Sequence, residues 1–221
     1  MGAPIYAQEH GPELASDAAR ATLSYNIAAL RHWWSGKTVQ EISPETCKAY
    51  ALARQRTPGT IQRELSVLSA AMGHAVTMER LEARRPMWAP AKGAGRERWL
   101  DRAEAARLLR AARSEPQARM HLPLFILLGL YGGARPGAIL ELNWDQVDLE
   151  RGRIDWNPEG KARTKKGRAR TPIPRRLMTF LRLAERRGWP TGPVVHRDGQ
   201  SLASVKKSFA RACAAASVAW M

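Results

Sequence analysis

Cysteine is nearly absent from this 221-residue chain. Its two examples, Cys47 and Cys213, lie far apart and in no metal-ligand spacing, which excludes a disulfide framework and points to a reducing, cytoplasmic setting. Long apolar runs are missing too. The longest, Leu122 to Tyr131, is too short for a membrane span and contains Pro123. The N-terminus lacks the basic-then-apolar order of a secretion signal. Acidic residues are also scarce: 20 Asp and Glu face 36 Lys and Arg, for a net charge of +16 and a pI near 10.9. Folding does not need such an excess, because self-repulsion opposes compaction. It suits a polyanionic partner, whose condensed counterions are released at each phosphate contact. A merely basic protein and an RNA-binding or ribosome-associated one are the alternatives at this level.

What the chain does have is helical periodicity, followed by a change of period. Gly2, Pro4, Gly11 and Pro12 predict a loose arm over the first residues. From Ala18 to Trp34, Leu23, Ile27, Leu30 and Trp34 recur at helical spacing. Ser43-Pro44-Glu45 reads as a helix start, and Thr57-Pro58-Gly59-Thr60 as a break. Ile61, Leu65, Leu68 and Met72 then form one apolar stripe on a helix to about Val76, opposite Gln62, Arg63, Ser66 and Ser69. Residues 84–98 hold Pro86, Pro90, Gly93 and Gly95 with five basic side chains and one acid, and read as a linker.

Beyond it, Asp101 and Glu104 form a capping-box pair ahead of a helix that buries Leu108 and Leu109. A second helix is expected over His121 to Tyr131, ending at Gly132-Gly133, and a third from near Arg135 through Ile139, Leu140 and Leu142. Arg153 to Trp156 alternates as a strand. Thr171 to Pro174 reads as a second, edge-type strand because of its prolines. Residues 161–170, KARTKKGRAR, make a basic turn between them. A helix over about Arg175 to Arg187, a Gly/Pro loop and a last helix from about Ser201 to Ala216 complete the reading. Charge is uneven: residues 1–98 carry 13 basic and 9 acidic side chains, residues 99–221 carry 23 and 11, and residues 151–187 alone carry 13 and 3. The phosphate backbone of a nucleic acid is expected against that last stretch.

Two stretches carry chemistry. Gly132-Gly133-Ala134-Arg135-Pro136-Gly137, continuing through Leu140-Glu141-Leu142-Asn143-Trp144-Asp145-Gln146-Val147-Asp148, resembles the first conserved box of the tyrosine recombinases (phage integrases). There an arginine after a glycine turn clamps the DNA phosphate under attack. A guanidinium suits that task, because it donates paired hydrogen bonds to equatorial oxygens and stays protonated. Thr164-Lys165-Lys166-Gly167-Arg168-Ala169-Arg170, running into Thr171-Pro172-Ile173-Pro174, resembles the β-hairpin of the same family, whose lysine is the general acid toward the leaving sugar oxygen.

The resemblance therefore implies Arg135 and Lys165 as catalytic residues, with Lys166 as the neighbouring alternative to Lys165. It also implies Thr60, Arg63, Lys92, Arg163, Lys166, Arg168 and Arg170 as DNA contacts. The implied fold is mainly α with a small β-hairpin or sheet. A flexible arm (1–17) precedes a helical, SAM-like core-binding domain (18–83), a basic interdomain linker (84–98) and part of an α+β catalytic domain (99–221). The implied partner is double-stranded DNA, with the parent assembled as a tetramer on it for integration, excision or resolution, and with no membrane, metal or other cofactor.

The sequence departs from the family in three ways. None of the five histidines has an arginine three residues on, so the family's His-x-x-Arg box is missing. All four tyrosines, Tyr6, Tyr25, Tyr50 and Tyr131, precede Arg135, and none stands where the family has its nucleophile; Tyr131 reads as a core aromatic. Ala138 occupies a position where the family usually has an acid, and Glu141 lies one turn further on. The chain is accordingly expected to be truncated, to bind DNA and not to cut it. The alternative is a non-catalytic DNA-binding remnant or regulator that reuses the fold.

Overall fold

A computed structural model of the chain describes residues 3–14, 16–91, 93, 98–157, 169–187 and 191–219. It divides into two compact units, Met1–Glu97 and Arg98–Met221.

The first unit is helical: α1 (Ala3–His10), α2 (Asp17–Trp34), α3 (Pro44–Arg54) and α4 (Pro58–Thr77). Local chemistry sets their starts. The Ser16 hydroxyl accepts from the Ala19 N–H, and Ser43 and Thr46 cap each other's backbone around Pro44 in the first turn of α3. Ile61, Leu65, Leu68 and Met72 of α4 close a core with Leu30, Trp34, Ile42, Cys47 and Tyr50. The loose arm expected at the N-terminus is instead the helix α1. Tyr6 and Ala7, with Leu14 beyond it, pack on Leu23 and Ile27 of α2. Both carboxylate oxygens of Glu9 accept from the Arg80 guanidinium, at 2.7 and 2.9 Å. Pro4 falls in the first turn and Gly11 just past the end, where neither disturbs a helix. Within the stretch read as a linker, residues 84–91 lack regular secondary structure, but Met87 and Trp88 pack on the core of this unit. Residues 92 and 94–97 lie outside the described residues.

The second unit contains α5 (Arg102–Ser114), α6 (Leu122–Gly132), α7 (Pro136–Leu140), β1 (Val147–Asp148), β2 (Arg153–Asp155), β3 (Arg170–Pro172), α8 (Arg175–Arg187), β4 (His196–Arg197), β5 (Gln200–Ser201) and α9 (Lys206–Ala215). Asp101 and Glu104 form the expected reciprocal cap on α5. Strands β1-β2-β3 form an antiparallel sheet in that order, with β3 and its proline at the edge. The core runs from Leu108 to Val218 and takes in Leu122 and every residue of α6 from Leu124 to Leu128.

Two expectations need correction. The third helix of this unit stops at Leu140, so Leu142 is buried from the loop beyond it. The last helix begins at Lys206, not near Ser201, because residues 196–201 form the hairpin β4–β5. Its two-residue turn places Asp198 and Gly199 at φ +51° and +79°, the left-handed pair that an Asp-Gly step adopts.

Candidate nucleic-acid interface

The glycine turn after α6 is shaped by two close constraints. Gly133 ends the helix at φ +61°, and its N–H donates to the Gly129 carbonyl at 3.1 Å. Gly132 lies flat against Trp156: a Cβ there would stand 3.0 Å from the indole Cζ2. The chain then extends through Arg135 (φ −67°, ψ 147°), whose carbonyl accepts from Ala138 and Ile139 to start α7, with Pro136 in its first turn. The Arg135 side chain is exposed at that helix start. Ala138, one turn on, is buried in the core, and Glu141 is exposed at the end of the helix.

Trp156 also secures the base of the strand pair β2–β3. Its indole N–H donates to the Thr171 hydroxyl at 2.8 Å, and its backbone N–H points to the Ala169 carbonyl. Asp155 and Arg170 face each other across the same pair, joined at 2.6 Å. Partial burial works to raise the Asp155 carboxyl, but hydrogen bonds from the Arg170 guanidinium and the Asn157 backbone outweigh it and hold the group below its ordinary value. One tryptophan thus touches the turn that presents Arg135 and holds the root from which the basic connection departs. That connection carries Arg163, Lys165, Lys166 and Arg168, and all four lie outside the described residues, as does Lys92. Arg153 of β2 and Arg175 and Arg176 in the first turn of α8 add exposed positive charge to this unit.

Thr60 and Arg63 belong to the first unit, on the opening turns of α4. The Thr60 hydroxyl is hydrogen-bonded to that of Thr57 at 3.0 Å, and Arg63 is exposed. Beside them lies a group that sequence reasoning missed. Glu64 is fully buried, and its carboxylate accepts from the Tyr50 hydroxyl at 2.5 Å and from Arg54 at 3.0 Å. Burial, and then the hydrogen bond to this carboxylate, push the Tyr50 phenol well above its ordinary value. The signal was present: Glu64 falls among Ile61, Leu65 and Leu68 on the apolar stripe, where an acid must be neutralised by partners. Among the described residues no cluster of His, Cys, Asp and Glu could hold a metal ion, and no helix is long and apolar enough to cross a membrane.

No family model matches this chain, and no curated protein matches it. Solved structures do. Residues 75–356 of lambda integrase, a dimer bound to a COC′ core site, superpose with a TM-score of 0.76 at 17% identity, across 99% of this chain and 81% of that one. A lambda integrase tetramer bound to a Holliday junction gives 0.74 at 18% identity, across 98% and 63%. The Tn1549 transposon integrase (residues 82–397), in complex with transposon right end DNA, gives 0.65 at 14% identity, across 84% and 64%. The chain spans just under two thirds of those last two proteins. At such identities the likeness establishes the fold: mainly helical with small antiparallel sheets, as in these integrases.

Proposed function

We propose that this chain binds duplex DNA as the core-binding part and the phosphate-clamping part of a site-specific recombinase of the tyrosine type. The observation that carries the reading is the shared anchorage on Trp156. The glycine turn that precedes the exposed Arg135 and the strand pair from which the basic connection departs both meet one indole, which supports the reading. The integrases of the same fold were solved on a core site, a Holliday junction and a transposon end, which supports DNA as the partner.

In the parent reaction a tyrosine hydroxyl attacks the phosphorus, a 3′-phosphotyrosyl bond forms, and the bond to the 5′ sugar oxygen breaks. Arg135 would donate to the equatorial oxygens as their charge grows, and Lys165 would give its proton to the leaving oxygen. Thr60, Arg63, Lys92, Arg163, Lys166, Arg168 and Arg170 would bind backbone phosphates, and the parent would act as a tetramer on its DNA. The burial of Ala138, where the family carries an acid, favours a second reading: DNA binding without cleavage.

The primary test is a salt titration of binding to a labelled duplex. Affinity is expected to fall steeply and linearly on a log–log plot, with duplex DNA preferred over RNA; a flat response, or equal affinity for RNA, rejects the proposal. In a protein that joins this sequence to a His-x-x-Arg box and a nucleophilic tyrosine, Arg135→Ala is expected to abolish cleavage of a nicked suicide duplex and keep duplex affinity within about tenfold. Unchanged cleavage would remove Arg135 from the reaction.

A further inference from the structure

The second unit has a groove that includes none of the residues named individually as DNA contacts. It lies between the first half of α6 (Pro123, Leu124, Leu127) and the middle and end of α8 (Phe180, Leu183), and encloses about 460 Å³. Its lining is mostly apolar, and two side chains on it are unusually open to solvent: Met120 is 81% exposed and Leu183 is 41% exposed. Three cations, Arg113, Arg119 and Arg187, stand on the same lining, all exposed. No acidic residue lines it, and none of the three has an ion pair among the described residues. Along α6 the groove reaches Leu127, about 7.5 Å of helix rise short of Gly132.

We infer that this groove is a docking site for an acidic amphipathic helix of another protein, its leucines or aromatics entering the floor and its carboxylates pairing with Arg113, Arg119 and Arg187. The choice of occupant follows from the chemistry. A phosphate backbone has nothing to place against a floor of Leu124, Leu127 and Phe180. A second copy of this chain brings a net charge of +16 against three arginines. A helix with an apolar stripe flanked by glutamates satisfies both halves of the lining at once, and grooves between packed helices accept helices in this way.

The inference is independent of the DNA reading, and one experiment separates them. A fluorescently labelled helical peptide of about four turns, with leucine and phenylalanine at amphipathic spacing and glutamates on both flanks, is titrated with the protein by anisotropy. A scrambled peptide and a lysine-flanked peptide are run beside it. The expected result is low-micromolar binding of the first peptide only, weakened at least about tenfold in the triple variant Arg113→Glu, Arg119→Glu, Arg187→Glu and restored by lysine at all three positions. All three positions are exposed, and a thermal melt checks that the variants fold. Saturating duplex DNA is expected to leave peptide binding intact. Absence of binding, equal binding of the scrambled peptide, survival in the triple variant, displacement by DNA, or displacement by phosphatidylglycerol vesicles would each overturn the inference. Duplex affinity measured on the same samples scores the DNA reading separately.

Discussion

The two units keep their charge in opposite places. In the first, a carboxylate sits at the centre: Glu64 is fully buried and is held by one phenol and one guanidinium. In the second, the buried residues among those described are apolar apart from His121 and Ser208, and exposed cations stand on β2, β3 and α8. The lesson concerns where each unit is vulnerable. A core that includes a paired charge depends on both partners, whereas a dry core depends on shape. The first arrangement joins α3 to α4 one residue past Arg63. The second leaves the surface free to gather positive charge.

The largest expected effect tests the buried carboxylate. Glu64→Ala leaves the Tyr50 hydroxyl and the Arg54 guanidinium without their acceptor, and is expected to cost the first unit about 3 kcal/mol. Hydrogen exchange read peptide by peptide on the whole chain should show α3 and α4 losing protection while α6 and α8 keep theirs. Equal loss in both units would mean that they do not respond separately. A smaller effect is expected in the dry unit from Gly132→Val. The added carbons meet the Trp156 ring, and overpacking there is expected to cost about 2 kcal/mol, with protection lost around β2 and the glycine turn. Wild-type protection in that variant would show that the contact between turn and indole is soft.

The smallest effect is in pH. Burial, and then the electrostatic influence of Arg197 and of His196, hold the His121 imidazole below its ordinary 6.5. The folded state therefore keeps it neutral, and the unfolded chain takes up the proton first. The stability this contributes is complete above pH 6.5 and is lost as the pH falls through the lower folded value. Melting of α6 should become easier between pH 7 and 5, and His121→Phe should flatten that slope. The first unit responds elsewhere. Tyr50, raised from 10.0 chiefly by burial, withdraws stability only above pH 10, as the unfolded chain gives up its proton first. A pH profile that moved both units together between 7 and 5 would erase the contrast.

Structure encoded within a few residues was legible before any fold was known. The caps at Ser43 and Asp101 are hydrogen bonds between positions three apart, and the stripe on α4 is one helix face. The helix start at Arg135 was legible for the same reason, from a Gly-Gly turn and a proline, whereas the role of its guanidinium is implied only by the family resemblance. What was missed depends on distant partners. α1 was read from its glycines and prolines, whereas its helix is held by Leu23, Ile27 and Arg80. Glu64 draws its partners from another helix, ten and fourteen residues away. The hairpin at 196–201 announced itself only by Asp-Gly, because His196, Arg197, Gln200 and Ser201 show no apolar alternation. Trp156 drew no attention as a tryptophan closing a strand, although both Gly132 and Thr171 meet it.

That indole makes two segments of the chain mechanically inseparable. Any bend that tilts the foot of the β2–β3 pair is passed through one rigid ring to the glycine step on its other side. A lesion at that single position would be felt both at Gly132 and at Thr171.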